Sequence, residues 1–178
     1  MDPTRYIVLF RGVGGATQLP VKRLKAVLDD AGFEDVATYI NSGNAVLTAS
    51  LDEAGVVEAV GEAVRREMGF DKAVIARGAD DWDLMIARNP FAQAADDPTR
   101  VHVYALEAAP QPEDVEALEA KAGGTERFHL NGRTLYLHTP DGMGTSRFAP
   151  KIEPTLKVAM TARNWRSMLA LQELARGG

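Results

Sequence analysis

The hydrophobic pattern opens with Tyr6 to Phe10, an unbroken apolar run between Arg5 and Arg11. Continuous rather than alternating apolarity predicts a central strand over residues 5–11, covered on both faces. A helix is predicted over 20–31: Pro20 suits its first position, Val21, Leu24, Val27 and Leu28 form one stripe, and Gly32 ends it. VATYIN (36–41) and NAVLTA (44–49) read as two strands turning at Ser42-Gly43. Residues 52–68 form a second helix, with Asp52 as N-cap and Gly69 as C-cap. KAVIAR (72–77) is a fourth strand. This βαββαβ order predicts an α+β fold whose N-terminal unit, residues 1–78, is ferredoxin-like.

The second stretch, residues 79–178, partly echoes the first and is expected to form a related α+β half packed on it. A short helix over 80–88 starts with Asp80 as cap and stops at Asn89-Pro90. After the polar linker AADDP (94–98) come a strand at 101–106 and a helix at 112–122. FHLNGRTLYLH (128–138) reads as a hairpin about Asn131-Gly132, a strong turn signal. Irregular chain is expected from there to a C-terminal helix over 162–176 with Thr161 as cap. The order of elements recurs between the halves without a visible sequence repeat.

Composition narrows the class. The 178 residues are 46% hydrophobic and 25% charged, as expected of a globular chain able to bury a core. A net charge of −5 argues against a general nucleic-acid coat, which needs a basic surface. The absence of cysteine removes disulfides, thiolate zinc sites and cysteine nucleophiles. The first residues lack a signal-peptide pattern, and no run approaches the roughly 20 apolar residues of a membrane helix. The expected location is the cytoplasm, with no membrane partner.

Candidate chemistry gathers at one end of the first sheet. A right-handed first crossover makes the first two strands parallel, so the loop after the first strand and the hairpin between the second and third share an end. That places Arg11, Gly12, Val13, Gly14 and Gly15 near Ser42, Gly43 and Asn44. Glycines allow close backbone approach and expose N–H groups, and Arg11 adds a fork of donors. Ser42 and Asn44 add short polar side chains, and the helix starting near Pro20 adds a partial positive charge. The set suits an anion such as a phosphate or carboxylate. The spacing is neither a dinucleotide fingerprint nor a P-loop, because no Lys-Ser or Lys-Thr pair follows the glycines. The same residues also serve a plain turn and a hairpin closure.

TARNWRSML (161–169) supplies a second anchor, Arg163 and Asn164, expected in the first turns of the last helix. Cations there oppose the helix dipole, so an anion or a carboxylate such as Glu153 is expected to answer them. Arg147, Lys151, Lys157, Arg163 and Arg166 make the densest basic set.

Four strings, LFRGVGG, TYINSGNAVL, NPF (89–91) and TARNWRSML, occur in this order and resemble the bacterial family known as domain of unknown function 1697. The resemblance implies an α+β fold built on ferredoxin-like units and implies no activity. The loop departs from the family's usual Arg-Gly-Ile-Asn-Val-Gly-Gly by being shorter and lacking the asparagine. Pro150 and Pro154 interrupt PKIEPTLKV, where the family runs a long helix.

Other chemistry is weaker. With the turn at Asn131-Gly132, His129 should face Thr134 and His138 should face Thr125, roughly 13 Å apart and too far for one metal. No nucleophile elbow frames Ser42, Ser146 or Ser167. RNA-recognition modules stack bases on aromatics of the central strands, and Ala45 to Thr48 carries none. The leading expectation is therefore a small phosphate-bearing ligand held by Arg11, Gly12, Gly14, Gly15, Ser42, Asn44, Arg163 and Asn164, without a cofactor, a metal or a nucleic-acid partner. One alternative is an enzyme on a phosphorylated or nucleotide substrate, with Glu153 or a histidine taking the proton. The other is an interaction module using a sheet edge.

Overall fold

The computed structural model describes residues 1–14, 17–40, 43–94 and 96–177. It is α+β, with two four-stranded antiparallel sheets and, among the described residues, six α-helices. Two compact units divide the chain: Met1–Leu84 with Ala170–Gly178, and Met85–Leu169.

The first unit runs β1 (Thr4–Phe10), α1 (Val21–Asp30), β2 (Glu34–Thr38), β3 (Asn44–Ala49), α2 (Glu53–Met68), β4 (Val74–Gly78) and the start of α3 (Ala79–Ala87). Its sheet order is β2-β3-β1-β4. The apolar run behaves as its pattern dictates: β1 is central, and Tyr6 to Phe10 are all buried. Tyr6, Val8 and Phe10 pack one face of the sheet onto Leu24 and Leu28 of α1 and onto Val56, Val60 and Val64 of α2. Leu24, Val27 and Leu28 are the buried residues of α1, the stripe that helical spacing requires.

Both predicted caps of α2 are present. Asp52 accepts from the Gly55 N–H at 2.8 Å, satisfying a donor that the helix leaves orphaned. Gly69 takes a left-handed φ of +66°, and the Phe70 N–H returns to the Val64 carbonyl at 3.1 Å. The Gly69 N–H itself returns to the Arg65 carbonyl at 3.1 Å, the five-to-one bond of an αL closure.

The second strand departs from expectation. A bulge between Glu34 and Ala37 starts β2 earlier than expected, its ladder ends at Thr38 opposite Ala45, and Asn41 lies outside the described residues. Asp35 sits at φ +48° in the bulge, and Ile40, beyond the ladder, is exposed at φ +46°. Asp80 lies inside the first turn of α3 rather than at its cap, since the helix begins directly after β4.

The second unit contains β5 (Val101–Leu106), α4 (Pro112–Lys121), β6 (Arg127–Asn131), β7 (Thr134–His138), α5 (Ala149–Leu156), β8 (Met160–Asn164) and the start of α6 (Trp165–Ala175). Its sheet order, β6-β7-β5-β8, repeats that of the first unit. Tyr104, Leu106, Leu135 and Leu137 pack against Leu118 of α4 and against Ile152 and Leu156 of α5.

Three expectations fail here for physical reasons. Residues 139–148 are irregular as expected, but the stretch from Ala149 is not: Pro150 occupies the first turn of α5, where its missing N–H costs nothing, so the helix forms and is eight residues long despite Pro154 inside it. Thr161 to Asn164 do not open a helix but extend β8 along β5, and Asn164 replaces Thr161 as cap by accepting from the Ser167 N–H at 2.9 Å. The hairpin turns at Gly132-Arg133, with Asn131 paired to Thr134, so His129 faces Tyr136 and His138 faces Arg127. Gly132 supplies the positive φ of +61° that this turn needs.

No helix among the described residues is long and apolar enough to cross a membrane.

Candidate functional site

Three segments converge where β1 leaves the first sheet. The Phe10 N–H donates to the Gly43 carbonyl at 2.9 Å, and the Arg11 N–H donates to the Ala73 carbonyl at 3.0 Å. The loop after β1 is thereby stitched to the end of the hairpin on one side and to the start of β4 on the other. Gly43 makes the approach possible. A Cβ there would lie 2.8 Å from the Phe10 carbonyl oxygen and 2.8 Å from Val13 Cγ2, and its φ is +79°. No other residue fits without moving the backbone.

Gly12 has φ +73°, and a Cβ on it would lie 3.2 Å from Lys72 Cδ. The aliphatic stem of Lys72 therefore crosses the face of Gly12. Lys72 is exposed and makes no hydrogen bond or ion pair among the described residues. Pattern reading passed over it as the first residue of a strand. The signal available was its place two residues before the β4 ladder, where a side chain meets the loop after β1.

The expected donors sort differently from their role in the sequence reading. Gly14 turns its N–H to the Thr17 carbonyl at 2.7 Å, and Thr17 returns the bond to the Gly14 carbonyl at 2.9 Å. Its N–H is occupied within the loop and cannot serve a ligand. The N–H groups of Gly12 and Val13 make no hydrogen bond among the described residues. Asn44 is 1% exposed, and its amide donates to the Tyr39 carbonyl at 3.1 Å. It braces the hairpin and presents no surface to a ligand. Arg11 is half-buried at the convergence. Gly15 and Ser42 lie outside the described residues.

Arg163 and Asn164 belong to the second unit. Arg163 donates through one guanidinium nitrogen to Thr161 Oγ1 at 2.7 Å and to the Ala162 carbonyl at 2.8 Å, and burial pushes it down to about 10. Asn164 is committed to capping α6. Neither stands in a helical first turn, so the opposed-dipole argument does not apply to them. Glu153 is half-buried on α5.

The corresponding end of the second sheet closes by the same two bonds. Leu106 N–H donates to the Arg133 carbonyl, and Glu107 N–H to the Ala159 carbonyl, each at 2.9 Å. Phe10 pairs with Val74 and Leu106 pairs with Met160, so Arg11 corresponds to Glu107, Gly43 to Arg133 and Lys72 to Val158.

The opposite end of the first sheet is acidic. A cleft of about 520 Å³ there is lined by Thr4, Arg5, Tyr6, Glu53, Asp80 and Asp81, among others. The Tyr6 hydroxyl donates to the Leu51 carbonyl at 2.6 Å, and burial first, then Asp52, Glu53 and Asp81, push its phenol upward. Arg77 stands 3.7 Å from Glu53. An anion meets repulsion there and attraction at the other end.

The histidines are dispersed. His129 stacks on Tyr136 with ring centroids 6.4 Å apart, and His138 lies 5.7 Å from Phe91. His102 is held below the usual imidazole range by burial, and its Nδ1 is buried with no hydrogen-bond partner.

Comparison with known proteins follows the same lines. The family model described as a protein of unknown function, DUF1697, matches residues 3–136. That span contains the first three of the four strings and stops before TARNWRSML. No curated protein matches the chain. Among solved structures, the conserved bacterial protein SP0830 from Streptococcus pneumoniae is similar, with a TM-score of 0.72 and 21% identity over 98% of this chain and 99% of that one. At that identity the likeness carries the fold alone, whereas the family match covers most of the chain, which therefore belongs to the DUF1697 family.

Proposed function

We propose that this protein binds a small phosphate-bearing anion where β1 leaves the first sheet, with Arg11 as the charge clamp and the N–H groups of Gly12 and Val13 as backbone donors. One observation carries the reading. The second unit closes the same sheet end with the same two backbone bonds, using the five residues 107–111 and no glycine. The first unit spends the ten residues 11–20, including glycines at φ +73° and +137°, and sets arginine where the second has glutamate. Joining the strand to the helix does not require that elaboration, and an anion site would use it. The N-terminus of α1, which has no side-chain cap, follows the loop and adds partial positive charge.

The reading takes each unit as ferredoxin-like, which the βαββαβ order and the β2-β3-β1-β4 and β6-β7-β5-β8 sheets support. It also treats the chain as two subdomains. Their proposed division at residues 78/79 is adjusted to the compact units, which part within α3 and within α6.

The test is a thermal-shift screen of phosphorylated metabolites and inorganic phosphate against the wild type and Arg11→Gln. A ligand at about 100 times its Kd adds roughly 2.7 kcal/mol, a rise of about 5–10 °C for a chain of this size. The expected hit shifts the wild type and not the variant. A screen in which no anion shifts the wild type, or in which Arg11→Gln responds equally, overturns the reading.

A further inference from the structure

We infer that β6 is a docking edge that takes one further strand, supplied by an extended partner segment in which acidic and apolar residues alternate. The hydrogen-bond phase of the second sheet exposes it. The Leu106 N–H donates to the Arg133 carbonyl, so Arg133, Leu135 and Leu137 turn their backbone groups toward β5. Thr134, Tyr136 and His138 turn theirs toward β6, where they meet Asn131, His129 and Arg127. The N–H and C=O groups of Phe128 and Leu130 therefore point away from the sheet, and no described residue bonds them.

The other three edge strands are blunted. β2 carries the bulge between Glu34 and Ala37, and Arg5 donates to the Asp35 carbonyl at 2.6 Å. On β4 and β8 the outward carbonyls of Ala76 and Ala162 are taken by Arg77 and Arg163. Bulges and covered carbonyls keep an edge from pairing with another chain. β6 runs against β7 without a bulge and leaves its outward groups open.

Side chains set the occupant. Phe128 and Leu130 are half-buried and pack on the apolar core beneath α4 and α5. Arg127, His129 and Asn131 are exposed on the opposite face. Arg127 donates to the Gly124 and Glu126 carbonyls at 3.0 and 2.9 Å and has no carboxylate partner among the described residues. In an antiparallel strand added here, residues opposite Phe128 and Leu130 lie on the apolar face, and those opposite Arg127, His129 and Asn131 on the polar one. The first set is suited by apolar side chains and the second by carboxylates. A second copy joining β6 to β6 through the same open groups would set His129 against His129 and Arg127 against Asn131. That pairing supplies no acid to the guanidinium, so charge complementarity favours an acidic segment.

The experiment follows backbone amide exchange of the full chain by nuclear magnetic resonance as a blocked seven-residue peptide of alternating glutamate and valine is added. A peptide of alternating lysine and valine is the control, and wild type, Arg127→Lys and Arg127→Glu are compared. The glutamate peptide should slow exchange at Phe128 and Leu130 by at least about tenfold and leave Ala76 and Ala162 unchanged. The lysine peptide should bind the wild type at least about tenfold more weakly. Arg127→Lys should keep that preference and Arg127→Glu should reverse it. Because the side chain is exposed, the melting temperatures should stay near that of the wild type. Equal binding of the two peptides, binding that leaves the Phe128 and Leu130 amides fast, or no response to the glutamate peptide overturns the inference. Protection of these amides that grows with protein concentration alone assigns the edge to a second copy and overturns it as well.

Discussion

The two units solve one geometric problem with different materials. In each, the last residue of the central strand donates its N–H to the hairpin, and the next residue donates to the chain leading into the edge strand. Around these shared bonds the first unit places arginine, lysine and a glycine at the close approach. The second places glutamate, valine and arginine at the same three positions. The residues that differ are those the shared bonds do not constrain. What is common to both ends belongs to the fold, and what is peculiar to the first is the candidate for function.

The likeness extends to the edge strands. Arg77 on β4 lies opposite Ile7, and Arg163 on β8 lies opposite Val103. Each donates to the carbonyl of the alanine before it, at 2.9 and 2.8 Å. A guanidinium surrounded by protein needs acceptors, and the nearest reliable one is its own strand's backbone. Arg163 is therefore understood as a structural counterpart of Arg77.

Replacing the glycine at the close approach would break the comparison most severely. Gly43→Ala should cost roughly 2–4 kcal/mol, because its Cβ would lie 2.8 Å from backbone at a left-handed φ. Arg133→Ala, at the matching place in the second unit, should stay within about 1 kcal/mol. Urea denaturation of both variants measures the gap, and equal losses would mean that the two ends are packed alike.

Smaller effects sharpen it. Asn164→Ala should lose about 1 kcal/mol, since it removes the cap of α6, while the corresponding Gly78 before α3 has no side chain to lose. A stability unchanged in urea would return Asn164 to the list of residues available for a ligand.

The smallest effect is one of pH. His102 occupies the place that Tyr6 holds in the first unit. Its folded pKa is depressed by burial, so the unfolded chain takes up the proton first. The stabilising contribution is present above the ordinary value of about 6.5 and is lost as pH falls below it toward the lower folded value. Between pH 7 and pH 5, His102→Phe should therefore lose less stability than the wild type. Parallel urea titrations at the two pH values read the difference, and identical losses would show that His102 is not buried uncharged.

Much of this was legible along the chain. The central strand was visible in Tyr6 to Phe10, because a strand covered on both faces carries a short, continuous apolar run. Asp52 and Gly69 declared both ends of α2 through local backbone chemistry. The convergence of RGVG with the hairpin followed from strand order and crossover handedness. By contrast, β8 was hidden, because MTARN mixes polar and apolar residues and reads as a helix start when its partner β5 is unknown. The turn of the second hairpin slipped by one residue because Asn-Gly is a strong signal that cross-strand pairing can still override.

The sequence by itself determined the α+β class, the order of most elements and the neighbourhood of Arg11, since periodicity, caps and handedness act over short stretches of chain. The tertiary structure alone decided which polar groups are already taken by the rest of the chain. Gly14 and Asn44 turned out to be occupied by Thr17 and Tyr39. Lys72, some sixty residues from Arg11 in sequence, came to lie on Gly12. Whether a polar group is available depends on whether a distant part of the chain has already taken its hydrogen bond, and only packing settles that.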